Sequence, residues 1–115
     1  MADFFKETGL NEIDPTNPLL CEECGGEYLH QEKIEIFERS EDSSHGLKVT
    51  TQNNGQCVLS QSMAENPSPR RQGVRIIFSC EFCPSDGDPC VGGKLTTVLE
   101  IIQHKGGTYL TSRKA

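Results

Sequence analysis

Two pairs of cysteines carry the strongest chemical signal in the sequence. Cys21 and Cys24 form one Cys-x-x-Cys pair, and Cys80 and Cys83 form the other. Two residues between the cysteines let one tight turn direct both sulfurs at a single ion, and four thiolates at tetrahedral corners are ligands that zinc prefers. We therefore predict that these four cysteines bind one Zn²⁺ ion. Iron in a four-thiolate site uses the same ligands, so the spacing alone leaves it open.

Four protein thiolates leave zinc no free coordination position, which indicates a structural ion rather than a catalytic one. Disulfides are the alternative for paired cysteines, but no apolar leader follows Met1, so we expect a cytoplasmic protein whose thiols stay reduced. Cys57 lies in a predicted strand and is expected to be a small buried apolar residue. Cys90, which follows Cys83 closely, is an alternative ligand.

A second pattern suggests an enzyme. His30 and Glu32, followed by Cys80 and Cys83, echo the His-x-Glu and Cys-x-x-Cys signature of zinc deaminases, in which histidine and cysteine hold zinc and glutamate transfers protons. Ser79 stands where that signature has proline, and the first cysteine pair would have no role. A deaminase-type hydrolase is therefore kept as an alternative.

The charge distribution indicates which kind of partner the chain can bind. The 115-residue chain has a net charge of −6, which disfavours non-specific binding to nucleic acid. A basic group in the second half nevertheless predicts a surface for a protein or nucleic-acid partner, with aromatic stacking from one tyrosine. Its members are Arg70, Arg71, Arg75, Lys94, Lys105 and Tyr109. The alternative is that these arginines pair with acidic side chains of the first half, such as Glu35 or Asp42.

The elements that must position these residues are predicted to be strands. Apolar and polar residues alternate over residues 33–39, where Ile34 and Ile36 lie on one face and Lys33, Glu35 and Arg39 on the other. Further strands are predicted over 47–51, 57–60, 74–79, 94–103 and 108–111, although the 94–104 stretch also fits a helical period. Asn53-Asn54-Gly55 and Gly106-Gly107 are typical of hairpin turns.

The organisation of the chain follows from these patterns. Pro15 and Pro18 break any early helix, so residues 1–20 are predicted to be a flexible lead-in. Residues 21–111 form a single β domain, and residues 112–115 form a frayed tail. No apolar run approaches the length of about 20 residues that a membrane helix needs, so no membrane partner is expected.

The paired cysteines resemble those of the zinc-ribbon superfamily. More narrowly, the chain is similar to small zinc-ribbon proteins of bacteria and phages in Cys21–His30, Phe37–Asp42, Asn66–Gly73, Cys80–Cys83 and Gln103–Gly106. The resemblance implies zinc and a ribbon but no particular activity. By analogy with other ribbons it implies a macromolecular partner, as for an accessory or regulatory factor of a phage or mobile element.

The prediction is therefore a mainly β protein, a zinc ribbon with an enlarged β insert (residues 25–79) between two Cys-x-x-Cys knuckles. We expect it to bind a macromolecular partner without catalysis and without a small-molecule substrate. A purely structural subunit is the further alternative, and it predicts a large apolar face.

Overall fold

The chain folds as a single antiparallel β-sheet. The computed structural model describes residues 18–52, 55–84 and 93–115. Its strands are β1 (Leu29–Glu38), β2 (Leu47–Gln52), β3 (Cys57–Ser60), β4 (Gly73–Pro84), β5 (Gly93–His104) and β6 (Gly107–Lys114). Their order across the sheet is β3-β2-β1-β4-β5-β6. The prediction of a mainly β fold is confirmed, including a strand rather than a helix at β5. Nowhere in these ranges is there a helix long and apolar enough to cross a membrane.

The predicted insert, residues 25–79, is part of this same sheet. It supplies β1, β2, β3 and most of β4, whereas β5 and β6 follow it. Because β1 pairs with β4 and β4 pairs with β5, the insert is continuous with the rest of the domain. The predicted lead-in, residues 1–20, falls almost wholly outside the described residues.

The turn between β5 and β6 differs from the prediction by one residue. His104 pairs with Gly107, so the two turn residues are Lys105 and Gly106 rather than Gly106 and Gly107. Both have positive φ, 49° at Lys105 and 81° at Gly106, as a two-residue type I′ hairpin requires. The register of the long strands therefore places a lysine in a conformation that glycine adopts more easily.

Of the predicted frayed tail, residues 112–115, the first three residues instead belong to β6, and Ala115 directly follows the strand. Lys114 pairs with Thr97 of β5, and the Ala115 N–H donates a hydrogen bond of 3.0 Å to the Thr96 carbonyl. The twelve residues of β5 offer enough backbone partners to hold the end of the chain in the sheet.

The two faces of the sheet differ in a way that the alternation in β1 does not predict. Glu35 and Phe37 are 4% and 0% exposed, whereas Ile34 and Ile36 are only half-buried. The more deeply buried face of β1 is therefore the one that carries Glu35 and Phe37, not the one that carries the two isoleucines. We call the face that carries Glu35 and Phe37 the charged face, and the opposite one the apolar face.

Ion pairs explain why a glutamate is buried on the charged face. Side chains of alternating sign cross five neighbouring strands in the order Lys48, Glu35, Arg75, Glu100, Arg113. We call this set the charged row. Glu35 lies 2.6 Å from Arg75 Nη1 and 3.0 Å from Lys48 Nζ, and Arg75 Nε lies 3.6 Å from Glu100. A buried charge is tolerated when it is paired in this way.

The loop between β3 and β4 closes over the charged face. Glu65 reaches Arg75 Nη1 at 2.8 Å, and hydrogen bonds with Arg75 and Lys48 hold the pKa of Glu65 below its ordinary value. Ser68 is 1% exposed and accepts a hydrogen bond of 2.8 Å from the Gln103 N–H. A side chain at Gly73 would collide with Asn66, so glycine is needed beneath this loop.

Candidate metal centre

The four cysteines of the two pairs converge at one end of the sheet. Their sulfur atoms all lie within 4.8 Å of one another. Cys21 Sγ is 3.9 Å from Cys83 Sγ, and Cys24 Sγ is 3.5 Å from Cys80 Sγ. Tetrahedral zinc with Zn–S bonds of about 2.3 Å requires sulfurs roughly 3.8 Å apart, whereas a disulfide requires about 2.05 Å. The cluster therefore has the dimensions of a metal site.

The first pair lies in a tight turn just before β1. The Gly25 N–H donates to the Cys21 carbonyl at 3.0 Å, and Gly25 has a φ of 74° that favours glycine. The N–H groups of Glu23 and Gly26 point at Cys21 Sγ and Cys24 Sγ at 3.3 and 3.4 Å. Such donors stabilise negative charge on sulfur, so this turn is prepared to hold a cation.

The second pair is built differently, because it lies at the end of β4. Cys80 is 0% exposed and pairs with Lys94 of β5, and the strand register shifts between Cys80 and Pro84. The ring of Phe82 packs edge-on against that of Tyr28, with 5.4 Å between their centroids. The Glu81 N–H donates to the Tyr28 carbonyl. The second pair is thus fixed to the residues that follow the first turn.

Two threonines of β5 complete the surroundings of the first pair. Thr96 and Thr97 are 1% and 0% exposed. The Thr96 hydroxyl is hydrogen-bonded to Cys21 Sγ at 3.2 Å, and the Glu22 N–H donates to Thr97 Oγ1 at 3.0 Å. The register between β4 and β5 shifts here and leaves Thr96 without a partner in β4. Neither threonine can be predicted from the sequence as part of this site, because threonine is ordinary in a strand. Only the β-bulge at this register shift places both hydroxyls beside the cysteines.

The clustered cysteine thiols differ widely in their pKa values. Burial raises the pKa of Cys21, but hydrogen bonds from Thr96 and from the N–H groups of Cys24 and Glu23 lower it to about 6. Burial and the neighbouring thiols raise the pKa of Cys83 to about 12, and burial raises that of Cys80. A cation is therefore needed before these thiols ionise together, and binding it releases protons.

The residues of the deaminase-type alternative do not join this cluster. His30 Nε2 is 2.7 Å from the Glu81 carboxylate, and both side chains are more than half exposed. Glu32 accepts a hydrogen bond of 2.8 Å from the Ser79 hydroxyl. Among the described ranges, the only group of potential metal ligands is the set of four cysteines. Cys57 is exposed on β3, so the expectation that it is buried is wrong. Cys90 lies outside the described residues.

The predicted partner-binding residues are divided among three places. Arg70, Arg71 and Lys105 line one small pocket of about 90 Å³, together with His104. Lys94 lies at the end of the sheet that carries the four cysteines, and its Nζ is 3.2 Å from the Glu23 carboxylate. The other two, Arg75 and Tyr109, belong to the charged face.

Arg70 and Arg75 also have acidic partners, as the alternative interpretation expects. Arg70 forms a two-point ion pair with Asp42 and keeps the pKa of Asp42 below its ordinary value. Arg75 pairs with Glu35.

Comparisons with models of protein families, with curated proteins and with solved structures gave no match. The chemistry of this chain therefore has to be argued from its own residues.

The close approach of β5 to the second pair gives a testable prediction. A Cβ at Gly93 would lie 1.9 Å from the Cys80 carbonyl oxygen and 2.7 Å from its carbon. Gly93→Ala must therefore move the backbone of Cys80, one of the four clustered cysteines. We expect a loss of about 1–3 kcal/mol in unfolding free energy and weaker metal retention in a chelator competition assay.

Gly106→Ala is the matched control. Its Cβ meets nothing within 4 Å, but Gly106 has a φ of 81°, so the change costs about 1 kcal/mol and leaves metal retention unchanged. Equal metal retention in both variants would show that the Gly93 contact does not position Cys80.

Proposed function

We propose that this protein is a non-catalytic zinc-binding module that acts by binding a macromolecular partner. The observation that carries the proposal is the convergence of four cysteine sulfurs within 4.8 Å at one end of the sheet. Four thiolates fill the coordination of a tetrahedral ion, so no position is left for a substrate or an activated water. The ion then serves to hold the first turn against β4.

Zinc is the proposed metal, in a cytoplasmic protein of the zinc-ribbon type. The four-thiolate set and the sulfur spacing suit zinc, and a reducing compartment keeps the free thiols available to it. An iron-loaded four-thiolate site would be coloured and redox-active, whereas the zinc protein is colourless.

Cobalt substitution tests whether the coordination shell is closed. Replacing zinc with Co²⁺ is expected to give the visible spectrum of a tetrahedral four-thiolate site. Added azide should leave this spectrum unchanged, because no position is open to it. A spectral change on adding azide would indicate an open position and would favour the deaminase-type alternative.

The charges favour a protein over a nucleic acid as the partner. The net charge is −6, and acidic side chains compensate Arg70, Arg75 and Lys94. Within the predicted basic group, Arg71 and Lys105 remain as cations for which the described residues show no ion pair. Two such side chains supply little of the phosphate contact that nucleic-acid binding requires.

Affinity capture from cells that express the chain tests this choice. We expect protein partners to be recovered in equal yield before and after nuclease treatment. An Arg71→Ala, Lys105→Ala double variant with normal metal content shows whether the pocket beside His104 takes part. Capture that depends wholly on intact nucleic acid would overturn the choice of a protein partner.

One observation favours a second candidate, a structural subunit of a larger assembly. No described strand packs across the apolar face, and its side chains are only half-buried or exposed.

A further inference from the structure

The apolar face is a continuous surface that spans the whole sheet. Paired residues of neighbouring strands share a face, and side chains alternate along each strand, so the register defines its members. From β3 to β6 they include Leu59, Val49, Ile34, Ile36, Val74, Ile76, Leu99, Ile101 and Leu110. Among the described strand residues, the register places charged side chains on this face only near strand ends, at Glu38, Lys94 and Lys114.

The described residues leave the centre of this face without a cover. The fully buried apolar side chains are Phe37, Ile77 and Val98, all on the charged face, and Cys21 and Cys80 in the metal cluster. Members of the apolar face are half-buried, and Leu59 is 65% exposed. Contacts between strands occur only between neighbours in the sheet, so the sheet does not fold back on itself.

The four-cysteine cluster covers the apolar face only at one edge. The first cysteine turn contacts it through Glu22, which binds the Thr97 hydroxyl and accepts a hydrogen bond of 2.6 Å from the Ser112 hydroxyl. A sheet with one apolar face is stable only when a second layer packs on it. An exposed apolar patch of this extent marks an interaction surface.

We propose that the second layer is another copy of this chain, packed apolar face to apolar face as a two-fold symmetric β-sandwich. A two-fold interface brings the same patch of both copies together, and the centre of this patch has no charge to repel its own image. The acidic and basic side chains of the charged row remain on the outside of the pair.

The area of the face also fits a pair. Six strands about 4.8 Å apart, each with about 20 Å of apolar length, give roughly 500–600 Å² per copy, or about 1,000–1,200 Å² for the pair, which meets the lower bound for a specific interface. Residues 1–17 carry five large apolar side chains, Met1, Phe4, Phe5, Leu10 and Ile13, and are the alternative cover that the test below separates from a second copy.

Sedimentation velocity on the full, zinc-loaded chain tests the proposal. The expected particle has twice the chain mass of 12.7 kDa and dissociates on dilution. Ile76→Glu, at the centre of the face, should abolish association, because two identical carboxylates would face each other across an apolar contact.

Two neighbouring residues on β3 provide a matched pair of variants. Because both side chains are exposed, replacing them does not disturb the interior. Leu59 lies on the apolar face and Val58 on the charged face, and they are 65% and 52% exposed. Leu59→Glu should weaken association by about tenfold or more, whereas Val58→Glu should leave it unchanged. Metal content and far-ultraviolet circular dichroism confirm that each variant is folded.

Two results would overturn the proposal. One is a full chain that stays monomeric at all concentrations, in which case binding of an apolar dye shows whether the face is open to another protein or covered by the chain itself. The other is association that Ile76→Glu and Leu59→Glu leave unchanged while both remain folded, which would place the contact elsewhere.

Discussion

Removal of the metal is expected to unfold most of the sheet. Structural zinc supplies about 10–16 kcal/mol in zinc-finger peptides, which matches or exceeds the whole stability of a typical domain, about 5–15 kcal/mol. Few apolar side chains are fully buried here outside the metal cluster, namely Phe37, Ile77 and Val98. We therefore expect a zinc chelator to abolish the strand signal in circular dichroism and the resistance to proteolysis.

A pair of cysteine variants separates loss of the metal from loss of a thiol. Cys80→Ser removes a ligand that is 0% exposed and should reproduce the effect of chelation. Cys57→Ser makes the same chemical change on β3, where the thiol is exposed and outside the cluster, and should change the unfolding free energy by less than about 0.5 kcal/mol. A Cys80→Ser protein that stays folded without metal would contradict a structural role for the ion.

Loss of the central cation of the charged row is expected to have the second largest effect. Arg75 lies among Glu35, Glu65 and Glu100, and its side chain is 11% exposed. Arg75→Met leaves Glu35 paired with Lys48 alone and Glu100 with Arg113 alone, and breaking a buried ion pair costs about 3–5 kcal/mol. We expect this loss in urea unfolding of the zinc-saturated protein.

Arg71→Met is the control for Arg75→Met. Arg71 is exposed and forms no ion pair with the described residues, so its replacement should change stability by about 0.5 kcal/mol or less. Equal unfolding free energies for the two variants would show that the charged row does not stabilise the sheet. Hydrogen bonding to Arg75 also holds the pKa of Glu65 below its ordinary value, so the part of the stability that comes from this pair is lost as the pH falls and Glu65 is protonated.

Local patterns predicted the strands and the two cysteine pairs of the four-cysteine cluster, because alternation, turn residues and the two-residue spacing each involve residues close in sequence. Alternation and turn residues located all six strands, and the two-residue spacing identified both cysteine pairs. Sequence alone did not predict which face of β1 is buried. The burial of Glu35 depends on its ion pairs with Lys48 and Arg75. These residues belong to other strands, and only the register of the sheet brings them next to Glu35.

The predicted basic group was divided for the same reason. Arg75 follows Arg71 closely in sequence, but it lies on β4, and the alternation of side chains along that strand directs it into the charged row. Thr96 and Thr97 could not be predicted as part of the metal site, because a one-residue register shift between β4 and β5 decides where they point.

X-ray absorption at the metal edge of freshly purified protein tests the central claim most directly. We expect a zinc edge, one equivalent of zinc per chain, and a single shell of four sulfur atoms at about 2.3 Å. A shell that contains nitrogen or oxygen, or a protein that folds and holds no metal, would contradict the four-cysteine structural site.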